Sequence, residues 1–202
     1  MRSHVGSASN KEAAVELELI RGKELFSLHE FLTPEECEAF IARSEQAGYE
    51  EATINTLAGT LARPEVRNND RLIFDDPTLA ADWFRRAEPF LPARLGKWAV
   101  LGLNERFRFY RYDPGQRFKR HYDASFQRRL NEQSFLTLMV YLNDGYAGGE
   151  TAFYYPNDQP MATVQPCRGS ALVFDHQQVH EGAAVTEGRK YVLRTDVMYR
   201  RT

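Results

Sequence analysis

His121 and Asp123, two positions apart in the segment QRFKRHYD, are residues whose types and spacing could do chemistry. The segment reads as a β-strand, where side chains alternate between faces, so both project to the same side. An imidazole and a carboxylate side by side on a rigid element are two ready ligands for a metal ion. A third ligand must come from elsewhere in the chain. His180, 57 residues after Asp123 at the end of another strand-like segment, is the leading candidate, and His176, four residues before it, competes for the role. Two imidazoles and one carboxylate occupy one face of an octahedron and leave three adjacent positions open, an arrangement suited to iron. On its own, H-x-D is a weak signal, because a strand histidine is more often hydrogen-bonded structure than a ligand.

The elements that must position these groups are legible around them. From about Asn104 the chain breaks into short strand-like segments: ERFRFYRY, QRFKRHYD, SFLTLMVYLN, ETAFYY, SALVFD and RKYVLRTDVMY. Turn chemistry separates them, in DPG, NDG, AGGE, PND, RGS and EGR. Many short strands at this spacing imply a β sandwich, barrel or jelly roll. Upstream, a strand-like stretch is expected over Leu17 to Phe26, followed by a helix in FLTPEECEAFIARSEQAGY. Thr33 can cap that helix, Pro34 suits its first position, Glu36 completes a capping box, and Gly48 marks its end. A second helix starts from Asp76 and Pro77, carries Leu79, Ala80, Trp83, Phe84 and Ala87 at helical spacing, and ends before Pro92. Between the helices, NTLAGTLARPEVRNND reads as a long loop around one short strand, of the kind that often binds or covers a ligand.

The fold class expected is therefore α+β, mainly β: a jelly roll with N-terminal helices packed against it. Residues 1–15 are expected to be a disordered tail, and 16–202 one domain with a helical layer over 16–100 and a β core over 101–202. Two hundred and two residues, 43% of them hydrophobic and 12% aromatic, suffice for one buried core. A net charge of −2 gives no drive toward nucleic acid or anionic membrane. The first fifteen residues hold no apolar run, so no signal peptide is expected, and no later stretch approaches a membrane span. Cys37 and Cys167, 130 positions apart, fit no zinc spacing and read as free thiols of a reducing compartment, with one disulfide as the alternative. A soluble cytoplasmic protein is the expectation.

Three stretches resemble the prolyl 4-hydroxylase-like 2-oxoglutarate/Fe(II) oxygenases: YDPGQRFKRHYD, LTLMVYLNDGYAGGETAF and QPCRGSALVFDHQQVHEGAAVTEGRKYVLRTDVMY. The match runs from Tyr110 to Tyr199 with every landmark in order, and FLTPEEC and VRNNDRLIFDD are similar to N-terminal parts of bacterial members. The resemblance implies a double-stranded β-helix and a metal triad of His121, Asp123 and His180. The HEG at 180–182, with Gly188 and Lys190 at their offsets, favours His180 over His176 as distal ligand.

The resemblance also implies that Lys190, ten positions after His180, pairs with the far carboxylate of 2-oxoglutarate, which needs a fixed cation there. Alternation places Lys190, Val192, Arg194 and Asp196 on one face of the last strand, making Arg194 the reserve anion contact, while Arg189 should point outward. Tyr112 stands where family members carry a tyrosine on the cosubstrate, Thr151 and Tyr141 line the same hairpin, and Gly148 and Gly149 suit its turn. Arg67, Asn68 and Asn69 offer polar contacts for a lid or substrate clamp. The cations Arg106, Arg108, Arg111, Arg117, Lys119 and Arg120 read as a solvated face that could steer acidic groups toward the mouth.

What the resemblance implies chemically is oxidative decarboxylation of 2-oxoglutarate to succinate and CO₂, with O₂ consumed, a substrate hydroxylated, and ascorbate as a possible reductant. Halogenating relatives leave the carboxylate position open for chloride, so Asp123 argues for hydroxylation. The implied substrate is a prolyl residue in a protein or peptide. Competing readings are an oxygenase of a free amino acid or small metabolite, and a non-catalytic jelly-roll binding module. A cupin would carry H-x-H with later Glu and His, which this chain lacks. The sequence assigns no oligomeric state.

Overall fold

The computed structural model describes residues 15–52, 54–56, 59–61 and 63–202. Most of the expected tail, residues 1–14, lies outside the described residues, while Val15 packs against the core. The expected strand over Leu17 to Phe26 is a hairpin instead: Glu16–Arg21 pairs antiparallel with Leu25–His29. Gly22 makes the reversal with a φ of +56°, which an L side chain resists.

Helix α1 spans Pro34–Ala47, with the Thr33–Glu36 capping box formed in both directions and Gly48 following at φ +85°. Helix α2 spans Pro77–Ala87, capped by Asp76, whose carboxylate accepts from the Leu79 amide. In the loop between them two short strands, Ile54–Thr56 and Gly59–Leu61, pair with each other where one was expected.

Most of the β structure lies in two facing sheets, with two separate two-stranded ribbons beside them among the described residues. The larger has eleven strands. Its central run is Leu25–His29, Ala171–Asp175, Glu132–Tyr141, Lys190–Arg201, Arg106–Tyr112 and Asp70–Asp75. The smaller has four, in the order Phe118–His121, Val179–Gly182, Thr151–Tyr154 and Pro160–Val164. Strands from the N-terminal half join both sides of the large sheet, so the helices belong to the same body as the β core. The architecture is a jelly roll, mainly β.

The last strand, Lys190–Arg201, organises the interior. Tyr191, Leu193 and Val197 belong to the apolar core beneath the helices, which also contains Trp83, Phe107, Phe109 and Leu138. Val192 joins the core between the sheets, with Tyr110, Tyr112, Tyr141, Phe153 and Phe174. Period-two alternation thus gives each face of the strand a separate core. The same alternation aims Lys190, Arg194 and Asp196 into the space between the sheets.

Candidate metal centre

His121 and His180 are direct cross-strand partners in the small sheet, which puts their rings 4.2 Å apart between centroids. Asp123 lies just beyond the end of its strand, where its amide donates to the His176 carbonyl. The strand therefore ends before the carboxylate, and the segment's last residues are irregular. The convergence survives: His121 Nε2 and His180 Nε2 each stand 3.8 Å from an oxygen of Asp123. One donor atom from each residue falls within 4.8 Å of the other two, and no other such group of His, Cys, Asp or Glu occurs among the described residues.

Hydrogen bonds select which atoms face inward. His121 Nδ1 donates to the Lys119 carbonyl at 2.7 Å, and His180 Nδ1 to the Gln178 carbonyl at 2.9 Å. With Nδ1 carrying the proton, each Nε2 keeps its lone pair toward the centre. Burial, with His180 as a neighbour, pushes the His121 imidazole down to about 3, and burial lowers His180 as well. Burial would push the Asp123 carboxyl up. Arg194, followed by the two histidines and the Thr137 hydroxyl, overcomes this and holds it well below the usual range. At neutral pH the trio is two neutral imidazoles and a carboxylate, the protonation states a divalent metal requires. The donor set fits iron.

Asp123 is gripped from the large sheet. Thr137 Oγ1 donates to its Oδ2 at 2.5 Å and Arg194 Nη1 to its Oδ1 at 2.7 Å. Arg194 also donates to Asp196, which in turn accepts from Arg108 at 3.1 Å. His176, the competitor for the distal role, is buried beside Asp196 at 3.8 Å and outside the trio. Arg194, expected as a reserve anion contact, therefore already holds a carboxylate. Thr137 was not singled out by its sequence, although alternation with Met139 and Tyr141 in SFLTLMVY puts it on the inward face.

Above the trio, one cavity is lined by Tyr110, Tyr112, Thr151, Lys190, Arg194 and the two histidines, together with Phe118, Met139, Phe174, Gly182 and Val192. Tyr110, Met139 and Phe174 were not foreseen, because apolar and aromatic strand residues read as ordinary core. Lys190 is only 3% exposed, and its Nζ donates to the Gly149 carbonyl at 2.5 Å, between the rings of Tyr112 and Tyr141. Burial pushes its ammonium down to about 7, against an opposing pull from Glu150. Tyr141 and Thr151 share a hydroxyl hydrogen bond of 2.7 Å beside it. Gly148 and Gly149 both adopt φ +72°, and a side chain on Gly148 would strike the Ala184 carbonyl.

Arg189 points away, paired with Asp113 at 2.6 Å. The expected cationic face is mostly ion-paired: Arg106 with Asp75, Arg108 with Asp196, Arg111 with Asp70 and Glu45, and Arg120 with Asp158 and Glu181. Arg117 and Lys119 remain exposed. Cys37 and Cys167 are both free thiols, Cys37 buried and Cys167 exposed, so no disulfide joins them. No helix among the described residues is long and apolar enough to cross a membrane.

Comparison with known proteins agrees with this geometry. Residues 107–195 match the 2OG-Fe(II) oxygenase superfamily. Prolyl 4-hydroxylase 1 of Arabidopsis thaliana is 26% identical over 190 residues, covering 81% of this chain and 65% of the plant protein. Probable prolyl 4-hydroxylase 3 of the same plant is 27% identical, covering 82% and 66%. The chain thus spans slightly less than two thirds of these relatives. Among solved structures, the viral collagen prolyl hydroxylase of Paramecium Bursaria Chlorella virus-1, in its 2OG complex, superposes with a TM-score of 0.61 at 22% identity, covering 91% of this chain and 99% of that one. A Trichoplax adhaerens prolyl hydroxylase in complex with a hypoxia inducible factor peptide fragment gives 0.69 at 16% identity, covering 89% and 85%. At these identities the likeness is one of fold.

Proposed function

We propose that this chain, which belongs to the 2OG-Fe(II) oxygenase superfamily, hydroxylates a substrate at the expense of 2-oxoglutarate and O₂. Residues 16–202 would act as one catalytic unit. His121, Asp123 and His180 would hold the Fe(II). Lys190 would take the far carboxylate of 2-oxoglutarate, with Thr151, Tyr112 and Tyr141 around it. When bound, the iron supplies the activation of O₂ by which a substrate C–H becomes C–OH while 2-oxoglutarate leaves as succinate and CO₂. Ascorbate fits as the reductant that keeps the iron in its Fe(II) state.

The chain's own part is positional. Thr137 and Arg194 fix the Asp123 carboxylate, and the backbone carbonyls of Lys119 and Gln178 fix the imidazole tautomers. Phe118, stacked on His121 at 3.5 Å between centroids, and Phe174, at 4.6 Å from His180, keep water from the ligands. The observation that carries the reading is that both imidazoles of the donor trio and a buried lysine, without an ion-pair partner among the described residues, face one cavity.

A prolyl residue in a protein or peptide is the substrate we favour, because the named relatives are prolyl hydroxylases and the Trichoplax enzyme was solved with a peptide. A cytoplasmic location accords with the two free thiols. Fe(II)-dependent succinate formation tests the reaction. His121→Ala should abolish it, and Lys190→Ala should mainly raise the KM for 2-oxoglutarate. A His180→Ala protein that kept full iron affinity and activity would refute the ligand assignment.

A further inference from the structure

More positive charge stands in and directly behind the wall of the cavity than one dicarboxylate needs. Lys190 stands among Gly149, Tyr112 and Tyr141. A second cation, Arg67, stands against a different part of the wall. Its backbone bridges to Phe118, and its guanidinium lies 4.3 Å from the Tyr110 ring centroid and 4.4 Å from that of Phe118. Both rings line the cavity, and Phe118 in turn stacks on His121. The guanidinium is therefore separated from a metal-site imidazole by one aromatic ring.

Arg67 is 5% exposed and has no ion-pair partner among the described residues. Its Nε donates to Asn69 Oδ1 at 2.7 Å, while Nη2 is buried and meets no acceptor among the described residues. Holding a guanidinium out of water without a counter-charge is costly, and contact with two rings offsets only part of that cost. The neighbouring Tyr110 registers the field. Burial pushes its hydroxyl up, yet Arg67, then Arg194 and Arg108, outweigh that and hold it below the usual phenol range. Arg194 and Arg108 have carboxylate partners within the protein. Arg67 does not.

We propose that Arg67 anchors a carboxylate of the substrate, so that an acidic group, on the hydroxylated residue itself or on a neighbouring one, lies near the carbon attacked. The inference rests on the oxygenase reading and narrows its substrate. 2-Oxoglutarate is an unsuitable occupant, since on that reading its two ends are already engaged at the metal and at Lys190. The carboxylate could belong to a free amino acid or chain terminus, or to an aspartyl or glutamyl side chain. The bound group is the same in either case.

Paramagnetic relaxation tests this without knowing the substrate. The protein is loaded with Mn(II) and saturating 2-oxoglutarate, and ¹³C-carboxylate relaxation of acetate is measured, with acetamide as neutral isostere. Acetate should be relaxed strongly and acetamide at least fivefold less, and Arg67→Met should remove most of the acetate effect. Water-proton relaxation, read in parallel, reports Mn(II) and 2-oxoglutarate binding in both proteins. Glycine matching acetate would identify a free α-carboxylate as the source, and a capped aspartate matching it an acidic side chain. Equal relaxation of acetate and acetamide, or an acetate effect undiminished in a metal-binding Arg67→Met protein, would overturn the inference and leave the oxygenase reading intact. Failure of Mn(II) to bind the wild-type protein would overturn both. The acetate–acetamide comparison needs no variant, so misfolding of Arg67→Met cannot rescue the idea.

Discussion

Affinity for 2-oxoglutarate should fall as pH rises through neutrality, because the cation proposed to receive it is easily discharged. Burial takes the Lys190 ammonium from an ordinary value of 10.5 down to about 7, with Glu150 resisting. The Tyr112 and Tyr141 rings and the Gly149 carbonyl surround it. Only the protonated amine can pair with a carboxylate, so binding above about pH 7 must take up a proton. The apparent Kd then scales as one plus the ratio of neutral to charged amine. That ratio rises about tenfold per pH unit, or ~1.4 kcal/mol. From about pH 6 to about pH 9 the Kd should weaken by up to about a hundredfold. The sign is fixed: full affinity lies below the free-state value, and it is lost above. The proposed metal ligands do not share this titration, since burial holds His121 near 3 and Asp123 stays ionised. Carboxylates of 2-oxoglutarate are likewise charged throughout. Calorimetry with Mn(II) in place of iron, in buffers of different ionisation enthalpy, would measure both the Kd and the proton uptake. Lys190→Arg, charged at every pH, should bind more weakly but with a flat profile. A wild-type Kd constant within about threefold over this range, with no proton uptake, would refute the reasoning.

Three further outcomes follow from the grip on Asp123 and from the turn beside Lys190. Thr137→Val removes the hydroxyl that donates to Asp123 Oδ2 and should weaken Mn(II) or Fe(II) binding roughly tenfold, as loss of an outer hydrogen bond to a metal ligand commonly does. A loss below twofold in a metal titration would mean Arg194 alone suffices. Arg194→Met leaves buried Asp123 and Asp196 short of a guanidinium and should cost about 3–5 kcal/mol in urea unfolding of the metal-free protein. A fall under about 1 kcal/mol would show the pair is not held as described. Gly149→Ala forces an L residue to φ +72° and presses a methyl against Lys190 Cδ at 3.2 Å and Tyr146 Cε2 at 3.1 Å. The KM for 2-oxoglutarate should rise several-fold with a smaller change in kcat, and an unchanged KM would detach that turn from the cosubstrate pocket.

Local chemistry made much of this readable beforehand. Thr33 and Glu36 specify the start of α1 by satisfying amides that no helical carbonyl can reach, Pro34 by having no amide hydrogen to satisfy, and Asp76 caps α2 as Thr33 caps α1. Alternation in KYVLRTDVMYRR assigned Lys190, Val192 and Arg194 to one face because strand geometry has a period of two wherever it is placed. What was not readable depends on which strands meet. Thr137 touches Asp123 only because the centre of the large sheet faces the end of a small-sheet strand. No spacing within SFLTLMVY records that. The hairpin over Glu16–His29 was missed because Gly22, flanked by Arg21 and Lys23, carries none of the stronger two-residue turn signals. The cationic face dissolved for the same reason: Asp75, Asp70 and Asp196, which neutralise Arg106, Arg111 and Arg108, come from strands remote in sequence.

On the proposed ligand set, the placement of Asp123 ties metal binding to the assembly of the fold. Both imidazoles stand on adjacent strands of one small sheet, whose hydrogen bonds alone set their separation. Asp123 is held across the gap by Thr137 and Arg194 of the other sheet, so its carboxylate reaches the centre only when the two sheets are packed at their proper distance. A bound divalent ion stabilises that packed arrangement by mass action, since the unfolded chain cannot offer all three donors together. In the metal-free protein the same contacts confine a carboxylate that burial alone would protonate, and Arg194 supplies the charge that prevents it. Arg194 therefore serves stability and ligand readiness through one hydrogen bond, which is why a neutral residue of similar size at 194 should lose both together.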